Sequence, residues 1–188
     1  MFLSNHIFRG ASLNAGEFGH IVVEPNGPPC YCGNRGCLEA VCTRSSIERD
    51  VRAELAIGRA SSLSALYQER AELVDHAAIC TAAAEGDLVA RRVIDRAADY
   101  VADCAVTIAN VLDVDLIVLG GKGLGAVAHI YEEKVFEALS RRPLARHVHQ
   151  VQVAISQIAG DGAALGAAMS VLHAAYAPDA VSLTTLEP

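Results

Sequence analysis

The chain has 188 residues, 52% of them hydrophobic and 20% charged, which is enough apolar mass for one ordinary domain or two small lobes and excludes a disordered class. Its net charge of −7 and pI ≈ 5.4 argue against nucleic-acid contact by this chain itself, because phosphate binding needs a basic face and the only basic grouping is Arg141, Arg142 and Arg146. The most apolar stretch, Gly162 to Leu172, is too short to span a bilayer, and Met1 to Ser4 does not open a secretory signal, so no membrane role is expected and the cytoplasm is the expected location.

In chain order, Phe2-Leu3 and Ile7-Phe8 read as two strand pieces joined by a tight turn. Gly10 to Gly19 is a loop of small residues. Ile21 to Glu24 reads as a short strand, stopped by Pro25-Asn26-Gly27-Pro28-Pro29. Apolar residues at Leu38, Val41, Ile47, Val51 and Leu55 predict one helix from Leu38 to Ile57, ended by Gly58. A short helix is predicted over Ser61 to Tyr67, and Asp75 and Gly86 bracket another from His76 to Glu85. Asp87 is the expected N-cap of the longest helix, Leu88 to Leu112.

The run Leu116-Ile117-Val118-Leu119 reads as a buried parallel strand. A helix from Val127 to Ser140 follows, stopped before Pro143, and then an alternating strand, Val151 to Ile155. A last helix of small residues, Ala163 to Ala175, is suited to packing on a sheet. The second half therefore alternates helix and strand, an α/β pattern. The expected division is one lobe over 1–176 and a tail over 177–188.

Six cysteines are present, and three crowd into Cys30-Tyr31-Cys32-Gly33-Asn34-Arg35-Gly36-Cys37. In a reducing compartment such crowding points to metal. Structural zinc takes four Cys or His ligands in a tetrahedron, and His20 is the nearest upstream histidine. Gly33 and Gly36 would let the backbone turn so that Cys37 joins Cys30 and Cys32. A zinc site of His20, Cys30, Cys32 and Cys37 is the reading from chemistry, with three inert cysteines as the alternative. Cys42, Cys80 and Cys104 stand alone in apolar settings and read as core residues. The other histidines, His6, His76, His129, His147, His149 and His173, lack ligand-like spacing.

Two blocks resemble a known family, the ROK family of repressors and sugar kinases. Gly10-Ala11-Ser12-Leu13-Asn14-Ala15-Gly16-Glu17-Phe18-Gly19-His20 is similar to its Gly, spacer, Ala-Gly-Glu-x-Gly-His pattern. Cys30 to Glu39 is similar to its Cys-x-Cys-Gly-x-x-Gly-Cys-Leu-Glu signature. Asp115 to Gly121 resembles the family's strand ending in Gly-Gly, and Gly160 to Ala168 resembles its closing helix.

The resemblance implies the C-terminal lobe of an actin-like, hexokinase-type (ribonuclease H-like) fold with a zinc-binding loop over 20–39. It implies sugar contacts by Glu17, His20 and Glu39, with His20 serving zinc through one ring nitrogen and the sugar through the other. Gly120 and Gly121 would lie where the family's kinases receive ATP with magnesium. Plainer roles are a loop-capping Glu17, a first-turn acid at Glu39 and a simple strand-end turn at Gly120-Gly121. Lys122 departs from the small or apolar residue usual there.

The family's upstream lobe carries an Asp-Gly phosphate loop and an Asn-Asp pair whose Asp acts as general base. Neither precedes Gly10, so the chain is expected to be part of a larger protein or a truncated product, and not catalytic alone. Three functions follow. The leading one is the sugar-sensing portion of a transcriptional regulator, on the slight resemblance of Asp75 to Asp87 to regulators. The others are the C-terminal lobe of a sugar kinase and a non-enzymatic dimerising remnant. A sugar or sugar-phosphate ligand, structural zinc and a homo-oligomer are implied.

Overall fold

The computed structural model describes residues 2–3, 6–158 and 161–176; the expected tail and Gly160 lie outside the described residues. Among the described residues four strands are formed, β1 (Phe2–Leu3), β2 (His6–Ile7), β3 (Leu116–Leu119) and β4 (Gln152–Ile155). Seven helices accompany them, α1 (Leu38–Val41), α2 (Arg44–Ala56), α3 (Ser64–Glu69), α4 (His76–Ala84), α5 (Leu88–Leu112), α6 (Ala128–Arg141) and α7 (Gly162–Tyr176). β1 and β2 pair antiparallel, Phe2 with Ile7. β3 and β4 pair parallel, Leu116 with Gln152 through Leu119 with Ile155. A parallel pair needs a long crossover, and α6 supplies it.

α5 is the axis of the molecule. The Asp87 carboxylate accepts from the backbone N–H groups of Val89 and Ala90, which fixes the start of the helix. Asp113, in the left-handed region at φ 49°, ends it. One end of α5, through Val89, Ala90, Val93, Ile94 and Ala97, packs with Ile47, Val51 and Leu55 of α2 and Ile79 and Ala83 of α4. The other end presents Ala102, Ala105, Val106 and Ala109 to Val135, Ala138 and Leu139 of α6 and to Val151. Alanines at three- and four-residue spacing let α5 and α6 approach closely.

Several expectations need correction. The single helix over 38–57 is two: Thr43 accepts from Ser46 N–H and caps α2 afresh, so apolar spacing continued across a break. Ile21 to Glu24 is not a strand. Only Val22 bridges, to Cys37, while Val23 and Glu24 both donate to the Gly36 carbonyl. β3 is not buried on both faces: Ile117 and Leu119 turn to the core, but Leu116 and Val118 are 48% and 54% exposed. α7 does not pack on the sheet in the way its small residues suggested; Leu165, Met169, Val171 and Leu172 face solvent. The core roles of the lone cysteines hold, with Cys80 and Cys104 buried and Cys42 half-buried.

Candidate functional site

The loop between β2 and α1 gathers the chemistry. A 3-10 turn, Phe18–His20, closes when His20 N–H donates to the Glu17 carbonyl and Ile21 N–H to that of Phe18. The Cys104 thiol under the turn contacts the Phe18 carbonyl at 3.9 Å and ties it to α5. The cysteine segment then folds back. Gly33 N–H donates to the Cys30 carbonyl at 3.0 Å, Cys30 N–H to Asn34 at 2.8 Å and Gly36 N–H to Pro28 at 2.8 Å. Gly33 (φ +94°) and Gly36 (φ +65°) occupy the left-handed region. A Cβ on Gly36 would overlap the Glu24 carbonyl, so this crossing is open to glycine alone.

The result is a tight group. One ligand-type atom from each of His20, Cys30, Cys32 and Cys37 lies within 4.8 Å of all the others. Cys32 Sγ and Cys37 Sγ are 3.7 Å apart, as are Cys30 Sγ and His20 Nδ1. Around zinc, thiolates at about 2.3 Å and an imidazole nitrogen at about 2.0 Å fall roughly 3.5–3.8 Å from one another. The spacing and the donor set, three soft thiols and an imidazole with no carboxylate, fit such an ion. The thiols hold their protons unevenly. The Asn34 backbone and the thiols of Cys30 and Cys37 pull Cys32 below the ordinary thiol value, while lost solvent and the thiols of Cys32 and Cys30 push Cys37 up to about 11. A divalent cation would draw all three toward thiolate.

The expected sugar contacts come together beside this group. Glu17 opens the 3-10 turn that ends at His20, and Glu39 lies in the first turn of α1, directly after Cys37. Gly19 passes beneath Glu39: a Cβ there would sit 2.8 Å from Glu39 Oε2. With His20 Nδ1 turned to the cysteines, Nε2 faces outward, 3.0 Å from the Tyr31 hydroxyl. Glu17 and Glu39 are both exposed and free to accept. Tyr31 and Gly19 were not singled out as site candidates from sequence; the signal for Tyr31 was its place between Cys30 and Cys32.

Gly120 and Gly121 lie elsewhere. They follow β3 at the carboxyl end of the parallel pair, where ligands of open α/β sheets bind. An open cleft of ≈ 440 Å³ lies there, lined among others by Gly120, Gly121, Lys122 and Ser156. A Cβ on Gly120 would approach Ser156 Cβ to 3.1 Å, and Gly121 has φ +128°. Lys122 reaches across to Asp161 at 3.6 Å. No residue of the cysteine loop lines this cleft. A smaller cavity of ≈ 210 Å³ adjoins it, sharing Gly120 and lined also by Arg44, His76 and Tyr131.

The model of the ROK family matches residues 1–174. The chain belongs to the ROK family. It is 33% identical over 168 residues to an N-acetylmannosamine kinase of Vibrio vulnificus (strain YJ016), covering 89% of this chain and 50% of that protein. It is 30% identical over 164 residues to the DNA-binding transcriptional repressor Mlc of Escherichia coli K12, covering 87% of this chain and 39% of the repressor. Among solved structures, a ROK hexokinase from Thermus thermophilus superposes with a TM-score of 0.69 at 28% identity, over 90% of this chain and 52% of that one. This ROK chain thus spans about half the length of the kinase relatives it matches. ROK kinases and ROK repressors both match it, and among its described residues no helix is long and apolar enough to cross a membrane.

Proposed function

We propose that this chain is the sugar-recognising portion of a ROK transcriptional regulator, with an actin-like, hexokinase-type fold and a structural zinc ion held by His20, Cys30, Cys32 and Cys37. The observation that carries the reading is the mutual spacing of those four side chains beside two exposed carboxylates. Zinc supplies order here, because four protein ligands leave no open coordination position. It also fixes the His20 tautomer. A metal on Nδ1 leaves the proton on Nε2, which then donates to a sugar hydroxyl oxygen. Glu17 and Glu39 accept from hydroxyl groups on the same sugar. The kinase and repressor relatives support a sugar or sugar-phosphate ligand.

The cleft at Gly120-Gly121 favours a second reading, the nucleotide-receiving lobe of a sugar kinase, in which backbone at the two glycines approaches ATP. The two readings separate in one set of titrations on the zinc-loaded chain. The regulator reading expects heat from glucose or N-acetylmannosamine and none from ATP with magnesium. Heat from ATP with magnesium that a Gly121→Val substitution abolishes would favour the kinase. Metal analysis is expected to give about one zinc per chain. A chain purified under reducing, chelator-free conditions with no zinc would sink the metal assignment.

A further inference from the structure

The outward nitrogen of His20 is already engaged. Nε2 lies 3.0 Å from Tyr31 Oη, and the two rings meet edge to face with centroids 5.1 Å apart and planes at 80°. Tyr31 is nevertheless 81% exposed, so no wall of neighbours presses the ring into this position. The tyrosine hydroxyl therefore stands on His20, one of the three side chains that the sugar reading assigns to a ligand.

We infer that Tyr31 is a tethered occupant of the sugar subsite, its phenolic oxygen standing where a sugar hydroxyl would accept from His20 Nε2–H, so that a sugar binds by displacing it. The inference rests on the reading of Glu17, His20 and Glu39 as sugar contacts. A phenol suits the place because, like a sugar hydroxyl, its oxygen accepts one hydrogen bond and its proton donates another. Its attachment suits it too. Tyr31 is the second residue of the turn from Cys30 to Gly33, flanked by the two cysteines of the cluster. The backbone is thus held by the loop while the ring, open to solvent, is free to rotate away about its own side-chain bonds. Held over His20, the ring lowers apparent sugar affinity by the fraction of time it occupies the site. It also favours ligands whose hydroxyl replaces its hydrogen bond with His20 over those that only fill space.

The test compares the zinc-loaded wild-type chain with Tyr31→Phe and Tyr31→Ala, using glucose and N-acetylmannosamine as calorimetric probes and nitrogen-15 NMR of the His20 ring. Both variants are expected to retain zinc and to bind the responsive sugar more tightly, by roughly 2- to 12-fold, the worth of one net hydrogen bond. The His20 Nε2–H is expected to exchange faster with solvent once the phenolic oxygen is gone. Unchanged affinity in both variants overturns the inference, as does weaker binding in Tyr31→Ala alone, which would make the ring a stacking platform. Loss of zinc in Tyr31→Phe overturns it in favour of a structural role. If wild-type and both variants keep zinc yet bind neither sugar, the sugar reading itself falls. Failure of Tyr31's role alone leaves wild-type sugar binding intact.

Discussion

Gly33 and Gly36 offer a controlled perturbation of the metal loop. Both lie at positive φ, +94° and +65°, so alanine at either position carries a similar backbone penalty of about 1–2 kcal/mol. They differ in what the new methyl group meets. At Gly33 nothing lies within 4 Å; at Gly36 the Cβ would overlap the carbonyl oxygen and carbon of Glu24. Relief of that overlap demands a backbone displacement of about 1 Å or more, beside Cys37, whereas metal–ligand distances tolerate only about ±0.2 Å. Gly33→Ala is therefore expected to keep zinc and to lower the melting temperature by about 2–8 °C, at roughly 2–4 °C per kcal/mol for a chain of this size. Gly36→Ala is expected to lose the metal, read as a zinc-to-protein ratio falling toward zero after gel filtration, and to melt at the temperature of the chelator-treated wild type. Gly36→Ala holding a full zinc complement and melting with Gly33→Ala would refute the reasoning, because the crossing of Gly36 over Glu24 would then be irrelevant to ligand placement.

Asp87→Ala removes the cap of α5 and the bond to Ser62 N–H, with an expected loss of roughly 1–2 kcal/mol in a urea melt. Partial burial opposes ionisation of Asp87, but hydrogen bonds from Ala90, Ser62 and Ser61 prevail and hold its pKa below 3.8. A depressed folded value means that this contribution is complete above the unfolded pKa and disappears as pH falls through the folded one. The gap in stability between wild type and Asp87→Ala should accordingly be constant at neutral pH and shrink in acid below about pH 4. Glu39→Gln should leave the zinc content unchanged, since Glu39 is outside the four-residue group, while weakening sugar binding by about tenfold or more through loss of a charged acceptor. Equal affinities measured by calorimetry would remove Glu39 from the site.

Where a signal was local, the sequence carried it. Asp87, Leu88 to Leu112 and the strands read at 116–119 and 151–155 were legible because a cap, a 3.6-residue spacing and apolar runs each act within a few residues. The break at Thr43 was hidden because the apolar stripe runs on through it; only the capping geometry of Thr43 with Ser46 marks the new start. Ile21 to Glu24 has strand composition, yet its partner is a glycine-turned loop rather than another strand, and partner choice is a tertiary matter. The exposure of α7 and of one face of β3 is a matter of tertiary packing, which no single segment encodes. The four-residue group was legible from crowded cysteines and one histidine. The close pass of Gly19 under Glu39 and the turn of the Tyr31 ring onto His20 arise only once the loop is folded.

The four side chains of the metal group all fall between residues 20 and 37, whereas β4 must find β3 across the whole of α6. Closing a short segment costs little chain entropy and takes place on a timescale of well under a millisecond; distant strand pairing is slower. The loop is thus an early event in folding time. During synthesis it emerges from the ribosome ahead of both parallel strands, so on the proposed zinc assignment the ion would be captured by a chain whose sheet does not yet exist. Zinc supply would then act as a condition on the first step of assembly rather than as a finishing touch on the last.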